Sequence, residues 1–288
     1  MFISKIKDKL IALMLFANKR NVRISNSLSK GAAGATCRIL KASDPSSWEF
    51  SGFSQNGEDG ILDFLTRKIL HPNHYFIEIG ASNGLENNTS WLAIVRKFSG
   101  IMIEGDPELV KLCKEMDFNP GVDCHNLFVT RKNVGALLEL ALYKDPDVFS
   151  IDIDGNDFYL AETIIEGGIR PKIFVVEYNS AFGPDNAITI PYKEDFKLDP
   201  STESSYIYYG VSLQSWMLYF EKLGYKFVTV DTNGINAFFV DPGEFDEKFL
   251  ASINGLKFQE NFYQLKKYRE GWEHQFSLIK NRQFFKTN

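Results

Sequence analysis

The chain has 288 residues and a net charge of −5, with 44% hydrophobic and 24% charged residues. That composition suits one large globular domain with appendages, and its acidic balance offers nucleic acid no global field, so no nucleic-acid partner is expected. Three cysteines, Cys37, Cys113 and Cys124, are odd in number and lack paired spacing, which excludes a disulfide framework or zinc site and fits a reducing, cytoplasmic setting.

The N-terminal apolar run Leu10 to Phe16 is far shorter than the ~20 residues of a spanning helix. No small-residue cleavage site follows, so a signal peptide is not expected. With Lys5, Lys7, Lys9, Lys19 and Arg20 around the run, residues 1–20 read as an amphipathic helix. It would dock on the domain or a partner, or make a peripheral contact with a membrane surface. Residues 21–50 carry Gly31, Gly34, scattered serines and Asp44-Pro45 and read as a loosely ordered connector.

A main domain is expected over residues 51–240. Helical spacing appears in GEDGILDFLTRKIL, with Ile61, Leu62, Phe64, Leu65, Ile69 and Leu70 on one face. Strands are predicted at 75–80, 100–106, 125–130, 147–154 and 172–179, with helical segments between them. Short, nearly all-apolar strands alternating with helices indicate a parallel sheet buried on both faces. A helix over 213–224 stops at Gly224. YKFVTVDTNGINAFFV then supplies two strands about Asn233-Gly234, a hairpin signal. The expected architecture is a Rossmann-like, doubly wound α/β fold. Its seven-stranded, mostly parallel sheet closes with an antiparallel hairpin. Residues 241–288 read as an aromatic-rich helical tail that covers a sheet edge or a neighbouring subunit.

Ligands of such sheets sit beyond the carboxyl ends of the strands, where strand order reverses. The first strand ends in Glu78-Ile79-Gly80-Ala81-Ser82-Asn83-Gly84. Its G-x-x-x-G spacing differs from the dinucleotide G-x-G-x-x-G. It is either a tight connection or a bend that admits the amino-acid part of S-adenosylmethionine, with Glu78 near the ammonium. The second strand ends in Glu104-Gly105-Asp106, where a carboxylate can accept from both ribose hydroxyls.

The ordered segments SQNGEDG (54–60), FIEIGASNGLENNT (76–89), GIMIEGD (100–106), FSIDIDGND (149–157) and VVEYN (175–179) resemble the FkbM-type methyltransferases, a branch of the class I S-adenosylmethionine enzymes. The resemblance spans roughly residues 51–240. It implies methyl transfer to a hydroxyl, often of a sugar or another natural product. It also implies that Glu78, Gly80 and Gly84 form the cofactor loop and that Glu104 takes the ribose. The expected cofactor contacts are Glu78, Gly80, Ala81, Ser82, Gly84, Glu104, Asp106 and Asp152. The family's fourth-strand motif commonly reads Asp-Val-Glu-Gly-x-Glu; here Asp152-Ile153-Asp154-Gly155-Asn156-Asp157 shortens both glutamates.

Asp152, Asp154 and Glu177 are the candidate catalytic residues. Either Asp154 or Glu177 is a general base raised by crowded carboxylates, or the three hold Mg²⁺, which takes oxygen ligands. A purely structural role for Asp152, and helix capping by Asp157, are the bland alternatives. Strand alternation would put Asp152 and Asp154 on one face. Gln55, Asp59, Asn179 and Tyr192 are the candidate acceptor contacts. Gln55 and Asp59 read equally as ordinary residues of a helix start. His125, at the start of the predicted third strand, would lie at the wrong end for the cleft. The long segment 180–210, with Phe182, Tyr192, Phe196, Tyr206, Tyr208 and Tyr209, would contact a small-molecule or glycan acceptor, or pack as a self-contained excursion. An NAD-dependent oxidoreductase and a non-catalytic module of the same fold are the competing function classes.

Overall fold

The computed structural model describes residues 2–116 and 118–287. In chain order the elements are α1 (Phe2–Cys37), α2 (Glu58–Thr66), β1 (Tyr75–Ile79), α3 (Ser90–Ile94), β2 (Ser99–Glu104), α4 (Pro107–Lys114), β3 (Val122–Asn126), α5 (Val134–Leu140), β4 (Val148–Ile151) and α6 (Asp157–Glu166). They continue with β5 (Ile173–Glu177), β6 (Ile188–Thr189), α7 (Glu203–Tyr206), α8 (Leu213–Lys222), β7 (Lys226–Val230), β8 (Asn236–Val240), α9 (Glu247–Ser252), α10 (Phe262–Tyr268), α11 (Trp272–Ile279) and β9 (Phe285–Lys286).

Seven strands form one sheet in the order β3-β2-β1-β4-β5-β8-β7. Neighbours from β3 to β5 pair in parallel, and β8 pairs antiparallel with both β5 and β7. This is the expected doubly wound, Rossmann-like architecture, closed by the expected antiparallel hairpin. The order reverses at β1, flanked by β2 and β4.

Side-chain alternation divides the sheet into two faces. Ile77, Ile79, Phe149, Ile151, Phe174 and Val176 pack with Leu160, Ile164, Trp216 and Phe220 of α6 and α8. Phe76, Met102, Val148, Val175 and Phe238 pack with Ile61, Leu62 and Leu65 of α2 and Leu92 of α3. Register extends the second face to polar positions: Glu78 pairs with Met102 and Ser150, and Glu177 with Asn236. One face therefore carries Glu78, Glu177 and Asn236 towards the ligand edge.

Two sequence expectations are corrected. The connector is helical as far as Cys37. Gly31 and Gly34 allow close packing: a Cβ at either would overlap Trp91 or Phe50. The third strand starts at Val122 rather than His125, which places His125 near its carboxyl end; the polar VDCHN sequence concealed this edge strand. Cys113 and Cys124 are free thiols whose sulfurs approach to 2.8 Å because β3 lies beside α4. The expected amphipathic partition of residues 2–13 and 15–18 lies outside the described side chains. No helix among the described residues is long and apolar enough to cross a membrane.

The amino ends of the central strands are tied by a buried ion pair. Lys172 donates to Asp147 at 2.8 Å, with side-chain exposures of 3% and 0%. The second Asp147 oxygen accepts from His74 N, and the first also accepts from Asn73 N. Lys172→Met would leave that carboxylate without its cation. The expected loss is about 3–5 kcal/mol of unfolding free energy, checked by the denaturant midpoint and slope.

Candidate active site

A cleft of about 1030 Å³ opens at the carboxyl ends of β1, β2, β4, β5 and the start of β8. Single small-ligand sites typically occupy about 300–1,000 Å³, so this volume admits a cofactor together with an acceptor.

The bend after β1 forms one wall. Gly80 has φ +89°, and a Cβ there would overlap the Asp152 carbonyl oxygen, so the β1 and β4 loops meet where only glycine fits. Ser82 follows with φ +51°. Its N–H donates to Glu104 Oε2 at 2.9 Å, while Glu104 Oε1 accepts from Asp106 N at 2.9 Å. The carboxylate closing β2 therefore fixes both the glycine bend and its own following turn.

Glu78, Gly80, Ser82, Glu104, Asp106 and Asp152 all line the cleft. Glu78 is already engaged: Oε1 accepts from Asn88 N at 2.8 Å, and Oε2 accepts from the Thr89 hydroxyl. Burial pushes Glu78 up to about 7. Asp106 caps α4 by accepting from Glu108 N at 2.8 Å. Ala81 and Gly84, also expected in the cofactor set, do not line the cleft. Ala81 is buried in the core below it. Gly84 turns with φ +74° against Phe118, Cys113 and Met116; its glycine serves packing at the back of the bend.

The acidic group lies across the cleft. One carboxylate oxygen each from Asp152, Asp154 and Glu177 falls within 4.8 Å of the others. The strand ends at Ile151, so pleating alone does not bring Asp152 and Asp154 together. The turn does so, with Asp154 in the left-handed region at φ +59°. Asp157 accepts from Ile153 N at 2.9 Å and Gly155 N at 2.8 Å, holding that turn while opening α6.

Burial, with repulsion from Asp154 and Asp157, raises Asp152 well above the ordinary carboxylate value; burial, with repulsion from Asp152 and Asp154, does the same to Glu177; and burial raises Asp154. Tyr209 donates to Glu177 Oε1 at 3.2 Å, and Trp216 Nε1 donates to the Glu177 backbone oxygen at 2.8 Å. The three oxygen donors also match the ligand chemistry of a hard divalent cation.

Among the expected acceptor contacts, Gln55 lines the cleft. Asp59, Asn179 and Tyr192 do not. Asp59 Oδ2 gathers the N–H groups of Gly52, Phe53 and Ser54 at 2.7–3.0 Å. Asn179 donates to the carbonyls of Ile207 and Tyr209 and caps a short turn through Ala181 N. The Tyr192 hydroxyl accepts from Arg131 N, and its ring packs on Tyr159. Each side chain supports a loop beside the cleft, a distinction that residue type does not reveal. His125 is also absent from the lining.

Sequence reasoning missed Glu58, Asn56 and Asn236, which form a buried network: Glu58 accepts from Asn56 N at 2.6 Å and Asn236 Nδ2 at 2.8 Å. It also missed Asn261, Tyr263, Gln264 and Lys267, which line the cleft from the tail. From the long loop, Phe196, Tyr206 and Tyr209 reach the lining. Phe182 and Tyr208 instead pack around Phe284. The Asn-rich run within 83–88 and Asn236 after the hairpin turn were visible signals for part of this set; the tail offered none.

Burial of Asp59 pushes its carboxyl up to about 7. Relative to an unfolded aspartate, the folded group holds its proton more tightly, so its contribution to stability falls as pH rises from about 4 to about 7. Asp59→Asn retains an acceptor for the three N–H groups. The variant is expected to gain on the order of 2 kcal/mol relative to wild type between about pH 5 and about pH 8. Paired denaturation curves check this, and a pH-independent difference would count against it.

No family model matches this sequence, and no curated protein matches it. Solved structures with a similar chain path include an O-methyltransferase from Bacillus cereus in complex with S-adenosylhomocysteine. It shares 14% identity, covering 76% of this chain and 89% of that one, with a TM-score of 0.40. An S-adenosylhomocysteine-bound methyltransferase from Podospora anserina shares 15%, covering 64% and 77%, at 0.41. A fibrillarin pre-rRNA processing protein from Methanococcus jannaschii shares 13%, covering 61% and 67%, at 0.39. The fold assignment rests on this chain's own strand order and register.

Proposed function

We propose that this protein is an S-adenosylmethionine-dependent O-methyltransferase of the FkbM type, acting on a hydroxyl of a sugar, glycan or related natural-product intermediate. The reading is carried by the Ser82–Glu104 contact: the glycine bend and the ribose-type carboxylate belong to one wall of one cleft. S-adenosylmethionine, when bound, supplies an electrophilic methyl group on a sulfonium. Glu104 is placed to accept from ribose hydroxyls, and the Gly80 bend leaves backbone space beside β4. The sulfonium's positive charge suits a lining with eight acidic and two basic side chains. The antiparallel β8 also departs from the six-stranded order typical of dinucleotide enzymes, which favours this reading over an NAD-dependent oxidoreductase.

Asp154 is the general base in this proposal. It opens onto the cleft, while Glu177 is oriented by Tyr209 and Trp216 and lies beside Asp152. Asp154 receives the acceptor hydroxyl's proton as the oxygen forms its bond to the methyl carbon. The carbon–sulfur bonding pair leaves with sulfur. Alignment of the acceptor supplies the remaining acceleration. If Mg²⁺ is used, Asp152, Asp154 and Glu177 would hold it, and it would polarise the acceptor oxygen.

Calorimetry with S-adenosylhomocysteine is expected to show saturable binding. Glu104→Ala should weaken that binding roughly 10- to 100-fold through loss of charged hydrogen bonds; unchanged affinity removes the ribose role, and no binding to wild type removes the cofactor. Asp154→Asn preserves a residue type tolerated at positive φ. It should lower turnover about 100-fold or more with little change in cofactor affinity, as measured by methyl incorporation. Wild-type activity should rise with pH as the raised carboxyl of Asp154 loses its proton. Persistence after EDTA treatment would exclude the magnesium variant of the proposal.

A further inference from the structure

Two side-chain carbonyls on the acceptor half of the cleft lack hydrogen-bond donors. Asn236 and Gln264 are 2% and 4% exposed and both line the cleft. Neither Asn236 Oδ1 nor Gln264 Oε1 has a partner among the described residues. Asn236 Nδ2 donates to Glu58 Oε1 at 2.8 Å. That contact fixes the amide orientation, because a flip would set its carbonyl against a carboxylate. Buried carbonyl oxygens normally have donors, and leaving one unmatched is costly.

Their position separates them from the adenosyl wall. Asn236 is directly opposite Glu177 in the β5–β8 pair, beside the carboxylate group. Four strand spacings separate β8 from β2, so Asn236 lies on the order of 19 Å from the Glu104 strand at ~4.8 Å per spacing. Gln264 reaches the cleft from α10, together with Tyr263. A cofactor anchored at β1 and β2 leaves this half for the second substrate.

We propose that Asn236 and Gln264 form an acceptor clamp whose carbonyls receive hydrogen bonds from two hydroxyls of a neutral polyhydroxylated molecule, such as a glycoside. This rests on the methyltransferase reading and adds the acceptor's charge and the residues that read it. The two free groups are neutral acceptors and match hydroxyl donors. An ammonium would be drawn to the nearby carboxylates instead. A phosphate or carboxylate on the acceptor would face a lining whose eight acidic side chains outnumber its two lysines, Lys197 and Lys267, and be repelled on balance. A site built around hydroxyl donors discriminates strongly against analogues that lack them.

The test uses the full chain and a panel of methyl glycosides of glucose, galactose, mannose and fucose, with matched 6-phosphates and uronates where available. Each is titrated with and without S-adenosylhomocysteine. At least one neutral glycoside should bind, and its charged counterpart should bind at least tenfold more weakly. Gln264→Met and Asn236→Leu should each weaken the neutral ligand tenfold or more, while S-adenosylhomocysteine affinity stays within threefold. Gln264→Met carries the test should Asn236→Leu fail to fold. No neutral glycoside binding, preference for the charged ligands, or variants indistinguishable from wild type would each overturn the clamp. Glycoside binding without any S-adenosylhomocysteine affinity would overturn the methyltransferase reading and leave the clamp standing.

Discussion

The contact between Gly80 and the carbonyl of Asp152 sets the geometry of the cleft. At the switch point β1 lies between β2 and β4, and the loops leaving β1 and β4 must share the space above it. A side chain at position 80 would force the β4 turn away. With glycine there, Ser82 reaches Glu104 and the Asp154 turn projects over the same opening. The two halves of the proposed chemistry are thus brought together by one missing Cβ.

The cleft concentrates negative charge. Glu78, Asp152 and Glu177 are pushed upward first by burial, Asp152 also by Asp154 and Asp157, and Glu177 also by Asp152 and Asp154. Such an arrangement opposes stability when its members ionise, yet it suits a site that receives a cationic cofactor and removes an acceptor proton. Supporting bonds keep the groups distinct: Tyr209 and Trp216 orient the Glu177 residue, Asp157 holds the Asp154 turn, and Asn88 with Thr89 occupies Glu78. Asp154 is the most open member of the group, which gives it the clearest access to an acceptor.

The side of the cleft proposed for the acceptor is built from distant chain segments. Strand β9 in the tail pairs with β6 in the long loop, and Phe284 packs between Phe182 and Tyr208. Nearby, Asn261 accepts from Tyr263 N and Gln264 N at the start of α10. These contacts join the two least regular parts of the chain into a roof over the sheet's ligand edge. The tail therefore contributes directly to the cleft.

The alternation of apolar strands with helices and the Asn233-Gly234 turn were enough to establish the sheet architecture, because buried strands and hairpins impose local residue patterns. Strand ends likewise marked Gly80, Glu104, Asp152, Asp154 and Glu177 as one candidate set. Local pattern could not separate Gln55, on the cleft, from Asp59, spent on three backbone amides, nor expose Tyr192 as a loop support. It also could not place Asn236 or Gln264. Their surroundings depend on strand order and on the tail's docking, and a hydrogen-bond partner far away in sequence leaves no periodic trace. Sequence thus determined the sheet and most of the acids at its edge; tertiary structure decided which polar groups were already satisfied and which were left without a partner.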